Sequence, residues 1–154
     1  MLLPAIASEQ EVRAIQNAGI ACETLQTTLA LGNLIAINDE IAIGPGRLPL
    51  SLIKTIEEKL RVSFVALPSA GFDLLGAGIV LTNRGWIASP KLADAAFGEL
   101  ERITQKTGSL TSAQWGDPWI GNSVLANDHG ALVGENSTAA ELLHIDEGLS
   151  AAAK

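Results

Sequence analysis

Three stretches of this chain follow one plan at a fixed interval, and that repetition restricts the possible folds more than any other feature. They are "GNLIAINDEIAIGP" (32–45), "GAGIVLTNRGWIASP" (76–90) and "GNSVLANDHGALVG" (121–134). Each has a small residue, a short apolar or β-branched run, Asn, a polar turn and a second apolar run, which together predict a β-hairpin. Asn38, Asn83 and Asn127 stand 45 and 44 residues apart. A constant period in this range marks an array in which each repeat is one supersecondary unit that buries its apolar face against the next.

A helical pattern follows every hairpin. In "RLPLSLIKTIEEKL", Pro49 suits a first turn, and Leu52, Ile53, Ile56 and Leu60 recur at helical spacing. In "SPKLADAAFGELERITQK", Ser89 is the expected cap and Pro90 the first-turn residue, with Ala93, Ala96, Leu100 and Ile103 on one face. In "STAAELLHIDEGL", Thr138 and Glu141 have capping-box spacing ahead of Leu142, Ile145 and Leu149. β-rich stretches return at 61–68 and 108–115, giving a unit of hairpin, helix and returning strand. The N-terminus enters this unit late. "MLLP" matches the end of a second hairpin strand, Ser8 and Glu11 form a box, Val12 and Ile15 an apolar face, Gly19 a helix stop, and "IACETLQ" a returning strand. The expected organisation is one domain of repeats: a partial one at 1–31, then 32–75, 76–120 and 121–154. With no first strand for "MLLP" and no returning strand after the last helix, both ends expose strand edges that favour self-association.

A chain of 154 residues, 47% hydrophobic, is long enough for one core-bearing domain. No apolar run reaches the roughly 18 residues of a membrane span, and "MLLPAIASEQ" lacks the basic flank of a signal peptide, so a cytoplasmic protein is expected. A single cysteine, Cys22, excludes an internal disulfide framework. A net charge of −7 with ten Lys plus Arg argues against a protein that holds nucleic acid by neutralising many phosphates. A basic protein surface is the partner this charge suits.

The stretch "VLANDHGALVGENSTAAELLHIDEGL", together with "LGNLIAIND" and "GAGIVLTNRG", resembles the archaeal translation initiation factor 6 family, and the resemblance runs from Leu2 to Leu149. It implies an α/β (α+β) pentein-type β/α propeller of pseudo-symmetric repeats. Such proteins have five blades around a channel, and this sequence matches the tail of the second repeat and then the third, fourth and fifth. The expected object is therefore an open ring of roughly three and a half blades. The resemblance further implies a factor that binds the large ribosomal subunit, through ribosomal proteins more than bare rRNA, and prevents its premature association with the small subunit, with a part in large-subunit maturation. Catalysis, cofactor, metal, small-molecule substrate and membrane are not implied. Two departures are visible: Glu40 stands where a turn glycine is expected, and Trp115 and Trp119 where small polar residues are more usual. Two other readings stay open, an inactive or weakly binding fragment of such a factor, and an enzyme like the guanidine-modifying penteins.

Among individual residues, Asn38, Asn83 and Asn127 are read first as turn formers, since Asn tolerates positive φ and hydrogen-bonds its own backbone, and second as partner contacts. Asp39, Arg84, Asp128 and His129 are the ribosome-contact candidates at the hairpin tips, because the turn does not demand them, and solvated loop charges are the alternative. Trp119 joins them, for Trp115 and Trp119 either anchor a partner or fill space between repeats. Asp128–His129 lacks a third ligand for a metal. His144 is expected at a helix surface, and "NST" at 136–138 as a helix cap. Cys22, the one nucleophile a pentein enzyme would use, reads as a small buried side chain within a strand.

Overall fold

The computed structural model describes residues 1–150, which divide into two compact units, Met1–Leu31 and a second beginning at Gly32. In the first unit β1 (Leu2–Pro4) and β2 (Glu23–Leu25) pair in parallel, joined through α1 (Glu9–Asn17). The helix starts where the sequence places its capping box: the Ser8 hydroxyl accepts the Glu11 amide at 3.3 Å, and the Glu11 carboxylate accepts the Ser8 amide at 2.7 Å. Gly19, with φ +79°, turns the chain back after the helix. Cys22 lies just before β2, half-buried, with its thiol 3.9 Å from the Val12 carbonyl. It is thus neither within the strand nor fully buried.

In the second unit one order of elements comes three times, the last without a returning strand among the described residues. Each time it opens with a short helical turn that the apolar run conceals in the sequence: α2 (Leu31–Leu34), α4 (Leu75–Gly78) and a 3₁₀ turn at Ile120–Asn122. Hairpins follow, β3 (Ala36–Ile37) with β4 (Ile41–Gly44), β6 (Ile79–Leu81) with β7 (Trp86–Ala88), and β9 (Val124–Asn127) with β10 (Gly130–Val133). The helices α3 (Leu50–Leu60), α5 (Asp94–Thr104) and α6 (Ala139–Leu149) come next. After α3 and α5 the chain returns as β5 (Ser63–Ala66) and β8 (Gly108–Leu110), which pair in parallel with β4 and β7. Two sheets therefore have the order β3-β4-β5 and β6-β7-β8, and among the described residues β9 and β10 form a sheet of two.

Successive repeats meet at their opening turns, where side chains would not fit. A Cβ on Gly76 would overlap the Gly32 carbonyl oxygen, and one on Gly121 would overlap that of Gly76. Gly76 and Gly121 thus permit direct backbone contact with the preceding turn. Two cores fill the space behind. Ala36 and Ile43 share one with Trp86, Ala96 and Leu100, and Ile87 shares the other with Ile120, Val124, Ile145 and Leu149. Trp86 is fully buried, its indole N–H donating to the Lys106 carbonyl at 3.2 Å and its ring meeting Phe97 edge-on at 5.0 Å.

Several expectations change on sight of the structure. Pairing of Leu81 with Trp86 makes Thr82, not Asn83, the counterpart of Asn38 and Asn127, so the second hairpin is offset by one residue from the asparagine alignment. The Thr82 hydroxyl accepts the Arg84 and Gly85 amides at 3.2 and 3.1 Å, the task Asn38 and Asn127 perform with their side-chain oxygens. Left-handed φ values occur at none of the three asparagines and not at Glu40, so that turn needs no glycine; they occur instead at Arg61 and Gln105, which end α3 and α5. Ser89 caps a turn rather than α5: its hydroxyl accepts the Lys91 amide at 3.1 Å, and the helix starts at Asp94 behind Ala93. Burial of Leu92 pulls the intervening segment inward and delays the helix. Leu142 is 44% exposed, leaving Ile145 and Leu149 as the packed face of α6.

Candidate functional site

The hairpin tips stand side by side, and their turn residues bond across repeats as well as within them. The Asn38 side-chain amide donates to the Thr82 carbonyl at 3.1 Å. The Asp39 backbone amide donates to the Asn83 side-chain oxygen at 3.1 Å. Asn83 Nδ2 donates to both neighbouring carboxylates, Asp39 Oδ2 and Asp128 Oδ2, each at 2.7 Å, and the Asn83 backbone amide donates to Asp128 Oδ1 at 2.9 Å. Arg84 Nη1 reaches the Asp128 carbonyl at 3.3 Å. The partners lie 44 or 45 residues apart in sequence. Once the hairpins are registered by their turns, Asp39, Asn83 and Asp128 occupy one equivalent position.

This row places an amide between two carboxylates that would otherwise face each other as like charges, and it fixes the tips without apolar burial. Asp39, Arg84 and His129 remain exposed and Asp128 half-buried; Asp39, Asp128 and His129 line a cleft of about 300 Å³ together with Ile37 and Leu81. The structure thus brings four of the five contact candidates to the hairpin tips and adds Asn83 as the residue that links Asp39 to Asp128. Trp119 takes no part in the row. It is half-buried against Phe72, with ring centroids 5.4 Å apart, and the Lys91 ammonium lies 5.3 Å from its ring centroid. Trp115 is 78% exposed, on a loop where Gln114, Trp115 and Gly116 all have positive φ. His144 is exposed on α6.

The loop that carries Trp115 is held by a residue whose second role the sequence does not reveal. Glu141 completes the capping box with Thr138, and its carboxylate also accepts the Ser112 hydroxyl at 2.7 Å and the Gly116 amide at 2.8 Å, both from the preceding repeat. It is only 7% exposed. Desolvation works against its charge, but the hydrogen bonds from the Thr138 amide, the Ser112 hydroxyl, the Gly116 amide and the Thr138 hydroxyl outweigh it and hold the carboxyl at about 2. The recognisable signal, box spacing, predicts only the local half of this arrangement.

Chemically, the tip row offers hydrogen-bond donors, acceptors and charges on a fixed frame, and no nucleophile lies within it. Among the described residues no three His, Cys, Asp or Glu side chains are grouped to hold a metal ion, and no helix is long and apolar enough to cross a membrane. Such a surface suits recognition of a macromolecule.

Residues 1–148 match the eIF-6 family. The chain is similar to translation initiation factor 6 of Pyrobaculum arsenaticum, at 29% identity over 150 residues, covering 97% of this chain and 68% of the relative. Against that of Pyrococcus abyssi it is 30% identical over 156 residues, covering 97% and 69%. Against that of Picrophilus torridus it is 36% identical over 124 residues, covering 79% and 56%.

Proposed function

The chain belongs to the eIF-6 family, a family of translation initiation factors and not of enzymes, and from that premise we propose that it binds the large ribosomal subunit and prevents its premature association with the small one. A part in maturation of the large subunit and residence in the cytoplasm belong to the same reading. The observation that carries it is the family match across residues 1–148. The ordered row of Asp39, Asn83, Arg84 and Asp128 supports it, because a face fixed by its own hydrogen bonds loses little conformational freedom on docking. The net charge of −7 supports contact with basic ribosomal proteins more than with rRNA.

The same reading takes each hairpin, helix and returning strand as a blade of a pentein-type propeller, here about three and a half of five in an open ring, within one repeat domain. Its support is the recurrence of that unit and the cross-repeat bonds at separations of 44 and 45 residues. Asp39, Arg84, Asp128 and His129 are the proposed contacts, with Trp119 as a separate anchor. Co-sedimentation with archaeal large subunits at low salt tests the binding, and a subunit-joining assay tests the block. Protein that stays wholly in the supernatant, or that sediments without lowering subunit joining, refutes the proposal.

A further inference from the structure

The packing of each repeat on the next follows a series, and the series stops at an uncovered face. The opposed pair Ala36 and Ile43 shares a core with Ala96 and Leu100 of α5. Of the next pair, Ile87 shares a core with Ile145 and Leu149 of α6, and Val80 packs against it. Gly148 lets α6 approach so closely that a Cβ there would meet Ile87 Cγ2 at 2.5 Å and the Trp86 carbonyl oxygen at 2.7 Å. The third pair, Leu125 opposite Leu132, is 72% exposed at both residues.

Of the longer helices among the described residues, α1 has the matching lack. Seven residues beyond the N-cap, α3, α5 and α6 bury Ile56, Leu100 and Ile145 to 3% exposure or less. At that position α1 carries Ile15, and no residue of α1 is buried. Beside it lies an open groove of about 500 Å³ lined by Leu3, Pro4, Ile6, Ala14 and Ile15. Ala18, exposed, occupies the place that Gly148 has in α6, small enough for the same close approach.

We propose that the Leu125–Leu132 face is an interface between copies of this chain, occupied by α1 of a second copy. The contact continues the helix-on-hairpin interface already made twice within the molecule, so its geometry is that of α6 on Val80 and Ile87. It is heterologous, head to tail, because the two surfaces are different parts of the chain. One helix on one hairpin covers less than the roughly 1,200 Å² of stable complexes, so association is weak and rises with concentration. Nothing in it depends on the ribosomal reading above.

Sedimentation velocity on the full chain tests the proposal. Leu132→Lys places a charge on the hairpin face at an exposed position, and Ala18→Arg blocks the helix approach; Leu125→Lys serves as a second hairpin variant should the first melt early. The parent's mean mass is expected to rise with concentration. Each variant alone is expected to remain monomeric. An equimolar mixture of Leu132→Lys and Ala18→Arg is expected to give a species of twice the monomer mass, since each supplies the surface the other has lost. A parent monomeric up to about 1 mM, a hairpin variant that associates as the parent does, or a mixture that fails to pair overturns the proposal.

Discussion

Glu141→Gln isolates the link between the last two repeats. In the unfolded chain this carboxyl titrates near 4.5, and in the folded chain at about 2. A depressed folded value means that the charged form stabilises the fold above pH 4.5, and that this contribution disappears as pH falls from 4.5 towards 2. At ~1.36 kcal/mol per pH unit the full effect is ~3 kcal/mol. Glutamine keeps one acceptor but turns an NH2 group towards one of three donors, the Thr138 amide, the Ser112 hydroxyl or the Gly116 amide, so little of that contribution survives. For a chain of this size ~3 kcal/mol corresponds to a Tm lower by roughly 6–12 °C at neutral pH. Thermal melts followed by circular dichroism between pH 2 and 7 should show parent and variant well separated above pH 5 and converging near pH 2. A Tm difference independent of pH, or no difference at pH 7, would refute the assignment of this stability to the Glu141 charge.

Gly76→Ala should cost ~2–3 kcal/mol in urea unfolding, because its Cβ has no room against the Gly32 and Ile35 carbonyls. Gly98→Ala in α5, which meets nothing within 4 Å, should instead gain about 0.5–1 kcal/mol, and equal effects at the two sites would remove the close-contact explanation. Asn83→Ala should destabilise by ~1–2 kcal/mol and make stability more salt-sensitive, as Asp39 and Asp128 lose the amide between them; salt-independent stability would count against the bridging role. Asp39→Asn retains an acceptor for Asn83 and removes one charge, so stability should stay within ~0.5 kcal/mol while retention on large subunits at low salt falls. Unchanged retention takes Asp39 out of the contact set. Trp115→Gly should raise stability by ~0.5–1 kcal/mol, measured by the same urea titration, since the strain of an exposed tryptophan at φ +63° exceeds the extra chain entropy that a glycine loses on folding.

By itself the sequence determined what depends on neighbours three or four residues away. The box pairs Ser8–Glu11 and Thr138–Glu141 start their helices as expected, the apolar faces read from spacing contain Ile56, Leu100 and Ile145, which are buried, and the period near 45 returns as the separation of the residues bonded between hairpin tips. A hydrogen bond within one turn, or a side chain's side of a helix, is settled by local geometry. Tertiary structure decided the rest. Asparagine identity misaligned the second hairpin because a threonine hydroxyl caps a turn as well as an amide oxygen does, and only the pairing of Leu81 with Trp86 fixes the register. The linking role of Asn83 and the second set of Glu141 partners rest on groups 25 to 45 residues distant, which nothing local specifies. Burial was undecidable for the same reason: Leu132 and Ile87 hold equivalent places on similar hairpins, and one is exposed and the other fully buried because a helix from the following repeat lies only over Ile87.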